Sequence, residues 1–293
     1  VPSPGLSDPL ARALEAAIAG RRGALDDILA RGSHLPGVRI NDALADAFAH
    51  LCRARGAPAD AVVLALARLS AAEAPGATAL EFLPVCGLHA LGARAAADEG
   101  VRTRFVAELH AHADDTRFRL REAVVQALAR IGGAGGDALV SDISPWMDGY
   151  FHAAAVVHAI ASEAWLARLH DAAAVVSRFD QAHVFLRAAP RAAARWPGHK
   201  ELVLALESSI PSLAVRFGVP VFDMLVRWSS EQDPVLREII ARALRSQKLI
   251  GRYGPELERV RQALDATRAP PRNPDHDVGP TRDRSRKRRR LRA

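Results

Sequence analysis

Apolar residues recur along this chain at helical spacing. In DDTRFRLREAVVQALARIG, residues 114–132, Leu120, Val124, Ala127, Leu128 and Ile131 fall at i, i+4, i+7, i+8 and i+11. That spacing draws one apolar stripe down a helix and fits no strand. Asp114, Asp115 and Thr116 precede the stripe, where side-chain oxygens can accept from unpaired helix N–H groups. Gly132 and Gly133 follow it and are expected to end the helix through a positive φ. Just before, residues 99–113 carry Val101, Phe105, Val106 and Leu109 on a stripe of their own. Two helices joined by a two-residue acidic turn form an antiparallel hairpin.

The same period runs through the rest of the chain. Residues 6–20 and 24–32 make a first pair, and 41–55 follows. Pro58 opens the next helix, which reaches Leu69, and 77–97 continues the series with a break or kink expected at Pro84. A short segment at 137–144 precedes a helical stretch opened by Pro145 and running to Leu169. Further helices are expected over 172–177, 181–195, 200–209, 213–230, 234–246 and 255–267. Hairpins of roughly 30 to 45 residues in series predict an all-α fold, an α-solenoid of stacked antiparallel hairpins over residues 1–267. Abundant alanine and only 5% aromatic residues agree with close-packed helices.

The stripe at 114–132 has an echo in DPVLREIIARALRS, residues 233–246. Arg121-Glu122 aligns with Arg237-Glu238, and Ala127-Leu128 with Ala243-Leu244. Asp233 is a candidate N-cap, with Pro234 at the first helical position. This pattern resembles the second helix of a HEAT repeat. The resemblance covers these two units; the others rest on periodicity alone. It implies that Asp115, Arg121, Asp233 and Arg237 form a hydrogen-bonded ladder between neighbouring repeats. The plainer alternative is that both arginines are solvated helix-face charges.

Charge changes the picture at one end only. The formal net charge is +7, and from Arg268 onward ten basic residues face three acids, which is the whole excess. The high isoelectric point therefore describes the segment 268–293 rather than the body. That segment is rich in Pro, Asp and Arg without apolar periodicity, so it is expected to be a disordered basic tail. Arg284, Arg286, Lys287, Arg288, Arg289, Arg290 and Arg292 form its polyanion-binding candidate, open to nucleic acid or another polyanion. Lysine is scarce, only Lys200, Lys248 and Lys287, so the arginines partly reflect the bias of a GC-rich, bacterial type of genome. No apolar run has membrane length, so no membrane span is expected. VPSPGLSDPL lacks a basic patch followed by an apolar block, and Cys52 and Cys86 lack ligand spacing. A cytoplasmic setting is the expectation.

Candidate chemistry is sparse. LHAHADD holds His110, His112, Asp114 and Asp115, a metal-like set. Residues at i and i+2 point about 200° apart on a helix, so His110 can share a face with Asp114 while His112 faces away. A hydrogen bond from histidine to the acidic turn is the expected use, and no metal or cofactor is expected. PWMDGYFH holds Trp146, Asp148, Tyr150 and His152. Aromatic rings beside a carboxylate resemble the base cradle of HEAT-like alkylpurine DNA glycosylases, which makes Trp146, Asp148 and Tyr150 the alternative site. The neutral body and the lack of a paired Trp-Trp-Asp set count against it. GGAGG at 132–136 follows a helix and reads as a stop rather than a phosphate cradle. No catalytic residue is assigned. The expected function is a non-enzymatic scaffold with a protein partner, the alternative a nucleic-acid-binding protein.

Overall fold

A computed structural model describes residues 4–267. The basic segment, with Arg284, Arg286, Lys287, Arg288, Arg289, Arg290 and Arg292, lies outside the described residues. The fold is all-helical, with no strand among the described residues. In order, the helices are α1 Pro4–Ile18, α2 Gly23–Gly32, α3 Asp42–Arg55, α4 Asp60–Ala67, α5 Phe82–Ala97, α6 Glu99–His110, α7 Phe118–Gly135 and α8 Ala138–Asp142. They continue with α9 Tyr150–Ile160, α10 Glu163–Leu166, α11 Ala172–Arg187, α12 Pro197–Phe217, α13 Val219–Ser229, α14 Pro234–Ala243 and α15 Gly254–Ala266. Among the described residues, no helix is long and apolar enough to cross a membrane.

Packing follows chain order. α3 lies on α5, α5 on α7, α7 on α9, α9 on α12 and α12 on α14. A second set flanks this row: α4 and α6 on α5, α11 on α9 and α12, α13 on α11 and α12, and α15 on α13. A helix covered on several sides should be apolar all round. α5 nearly is: every residue from Phe82 to Ala95 is buried, and only His89 and Arg94 among them are polar. Its small residues let neighbours approach closely. A Cβ on Gly92 would stand 2.7 Å from the Ala127 Cα of α7. Arg94, the one cation in that buried run, is held by Asp60 of α4 at 2.7 Å and by Asp98 at 3.3 Å. Cys52 and Cys86 are free and buried, and burial pushes both thiols up, so they stay neutral.

Several expected boundaries shift, each for a tertiary reason. The glycines after Ile131 do not stop α7; it runs to Gly135, and Gly136 at φ +59° ends it. Gly132 is there for packing, because a Cβ would stand 1.9 Å from Cδ2 of the fully buried Trp165. Pro84 causes no break, since it sits in the first turn of α5, where its missing N–H costs nothing. α11 is unbroken across the gap expected at 178–180, carried by buried Val175, Phe179 and Ala182. α12 continues through Pro211, whose lost hydrogen bond is offset by the buried Ile210, Leu213 and Ala214 around it. The helix expected from Pro145 begins only at Tyr150, after a 3₁₀ turn over Ser144–Trp146 and an extended Gly149. The acidic turn after α6 spans residues 111–117 rather than two, with Asp115 accepting from the Arg117 N–H at 2.7 Å.

Candidate functional site

The exposed edges of α3, α5, α7, α9 and α12 carry three adjoining hollows. One, of about 230 Å³, has Asp46, His50, Arg53, Ala96 and Arg130 in its wall. The next, of about 650 Å³, reuses Arg53, Ala96 and Arg130 and adds Gln126, Ala129, Gly133, Ala164 and Arg168. The third, of about 290 Å³, reuses Gln126 and Ala129 and ends at Phe118, Arg121, Glu122, Phe151, His158 and Glu201. The shared residues make one groove. Its floor is alanine and glycine, and its rim is charged.

The rim is not uniform. Arg130 pairs with Asp46, and Asp46 is held down to about 2 by His89 and Arg130 against the opposing effect of burial. His89 Nδ1 lies 3.9 Å from Asp46, too far for a hydrogen bond, and Arg130 makes the direct contact. Arg53 and Arg168 are exposed and form no ion pair among the described residues. The middle of the groove is therefore cationic. At the far end Arg121 lies 4.4 Å over the Phe151 ring and 5.7 Å from that of Phe118, which is 54% exposed. Burial pushes Glu122 up, helped by the carboxylates of Asp42 and Glu201. Burial also pushes His158 down, against Glu201 at 3.8 Å.

A second constellation sits where α6 ends against the entry to α9. His110 Nε2 is 3.1 Å from one Asp148 oxygen and 3.2 Å from the other. His152 Nδ1 is 2.9 Å from Asp148 Oδ1. The two imidazoles stack, with centroids 4.1 Å apart, and buried Trp146 sets its ring at 80° to His110 at 5.0 Å. Burial opposes ionisation of Asp148, but the contact with His110 and the charges of both histidines outweigh it and hold the carboxyl below the usual range. The donor atoms of His110, Asp148 and His152 all lie within 4.8 Å of one another, close enough to share an ion. Beside them opens a cleft of about 410 Å³.

The residues singled out from sequence fall as follows. Trp146 and Asp148 meet, but at His110, a residue from the other motif. Tyr150 turns elsewhere, packing on Phe185, Trp196 and His199. Asp114 is exposed and takes no part, and His112 faces Glu108 at 3.6 Å. The Asp115 carboxylate holds Arg117 at 2.7 and 2.9 Å, while Arg121 takes the Asp115 backbone carbonyl at 2.6 Å. Asp233 caps α14, accepting from the Val235 and Leu236 N–H groups, and Arg237 donates to Thr267 and the Leu264 carbonyl of α15. Arg117, which sequence reasoning passed over, donates back across the fold to the Leu69 and Ala74 carbonyls. Its only sequence signal is its place two residues after Asp115. No protein-family model, curated protein or solved structure matches this chain.

Proposed function

We propose that this chain is a HEAT-like α-solenoid and works as a non-enzymatic binding scaffold. The observation that carries the reading is the continuity of the groove across α3, α5, α7, α9 and α12. Helices that cover one another in chain order leave a row of exposed edges, and such a row is a long docking surface. The alanine floor admits a helix or extended segment closely. Arg53 and Arg168 favour a partner segment carrying Asp or Glu, with an aliphatic residue toward Phe118 and Phe151. The basic segment 268–293 adds electrostatic capture of polyanions. Buried free thiols suit a reducing cytoplasm. The glycosylase reading has less support, because Trp146 is buried, Asp148 is engaged by two histidines and Tyr150 points away from both.

The test is a peptide-display selection on the full chain at physiological salt. Enriched peptides should be acidic and aliphatic, and Arg53→Glu with Arg168→Glu should weaken them at least about tenfold, one unit of 1.4 kcal/mol. Binding that ignores those substitutions but disappears when the arginines of 284–292 are changed to Gln would refute the groove reading.

A further inference from the structure

We propose that His110, Asp148 and His152 bind one zinc-class divalent transition-metal ion, with a further coordination position open to the adjoining cleft. Two imidazole nitrogens and one carboxylate are a borderline donor set. Such a set suits zinc, iron, cobalt or nickel, whereas calcium and magnesium call for oxygen alone.

Three observations support the site independently of donor type. The first is spacing. Around a tetrahedral ion with bonds of about 2.0–2.2 Å, neighbouring donors stand about 3.3 Å apart. Asp148 oxygens stand 2.9 Å from His152 Nδ1 and 3.1 Å from His110 Nε2, and all three donors lie within 4.8 Å of one another. The two imidazoles, stacked at 18° with centroids 4.1 Å apart, must turn out of that stack to aim both in-plane lone pairs at one ion. The second is an orphaned nitrogen. His152 Nδ1 is buried and makes no aligned hydrogen bond, despite the nearby carboxylate. An ion takes that lone pair and relieves the cost of leaving it unpartnered. The third is a positioning residue. A Cβ on Gly149 would stand 2.5 Å from that same nitrogen, so the glycine is what lets the imidazole lie there.

The ligands come from two segments 38 residues apart, so the ion fastens the end of α6 to the first turn of α9. Three protein ligands with one position left open is the arrangement of zinc sites that accept water or a ligand. Here the open side faces a cleft walled by Arg102, Thr103, Asp142 and Trp146. That wall carries both signs of charge: Arg102, which also pairs with Glu99 at 3.2 Å and donates to the Ala95 carbonyl, and the Asp142 carboxylate.

The experiment uses the full chain, stripped with a chelator. Zn²⁺ is titrated by calorimetry, and Co²⁺ by its visible d–d absorption, which reports coordination directly. The expected result is one ion per chain, with no response to Mg²⁺ or Ca²⁺. His110→Ala and Asp148→Asn should each weaken binding at least about 100-fold, beyond the 10–100-fold typical of losing an outer partner. Gly149→Ala should weaken it without removing a ligand, and His112→Ala should leave it unchanged. His110 and Asp148 are partly exposed, so these variants are expected to fold, which far-ultraviolet circular dichroism checks; if Asp148→Asn unfolds, His110→Ala decides alone. Absence of saturable Zn²⁺ binding in the unsubstituted chain, or binding that survives His110→Ala, overturns the proposal.

Discussion

Gly132→Ala is the most informative single substitution in the fold. In an isolated helix it should stabilise, because alanine is favoured over glycine by about 1 kcal/mol. Here the new Cβ would stand 1.9 Å from Trp165 Cδ2, where carbon atoms rest at about 3.5–4.0 Å. The indole must retreat, yet it is fully buried and its Nε1 donates to the Gly136 carbonyl at 3.0 Å. Overpacking costs about 1–3 kcal/mol, and loss of the hydrogen bond adds about 0.5–1.5 kcal/mol. Less the gain in helix propensity, the net loss is about 0.5–3.5 kcal/mol. Gly135→Ala in the same helix is the control, since its nearest neighbour is 3.7 Å away. It should be neutral or stabilise by up to about 1 kcal/mol. Urea denaturation followed by tryptophan fluorescence measures both. A Gly132→Ala protein as stable as its Gly135→Ala counterpart would mean that Trp165 does not sit on that backbone.

Asp60→Asn removes the main partner of buried Arg94 and should cost about 3–5 kcal/mol, less whatever Asp98 recovers; a loss under 1 kcal/mol by urea titration contradicts the buried pair. Arg117→Met keeps the aliphatic stem but loses the bonds to the Leu69 and Ala74 carbonyls. It should destabilise by about 1–3 kcal/mol and quicken amide exchange around residues 69–74, and unchanged exchange there argues against the tie. Burial holds His158, His183 and His199 below the ordinary histidine value of 6.5. The unfolded chain therefore takes up protons that the folded chain refuses, and stability falls as pH drops below 6.5. Thermal midpoints should decline from pH 7.5 to 5, with a shallower slope in His158→Gln; a midpoint that rises over that range has the sign wrong.

The helices were legible because their signals are local. Leu120, Val124, Ala127, Leu128 and Ile131, chosen by spacing, are all buried, and Asp233 caps α14 through the N–H groups of Val235 and Leu236. What escaped depends on partners distant in sequence. Gly132 looks like a helix stop until Trp165, 33 residues on, is placed against it. Pro211 looks like a break until its buried neighbours are counted. The histidine cluster was hidden for the same reason: each motif alone offers an incomplete ligand set, and no spacing rule joins His110 to Asp148. Arg117 and Arg121 are chemically alike in sequence, and only the path of the chain decides which one reaches back to an earlier turn.

Native-state hydrogen exchange across a denaturant series tests most directly the claim that these helices are stabilised by their neighbours in chain order. Contacts of that kind give graded opening. α1, α2 and α15, each covered on fewer sides, should exchange at lower denaturant than α5, α7 and α9 at the middle of the row. A single opening step shared by every helix, with one free energy from α1 to α15, would contradict it and leave the groove without its structural basis.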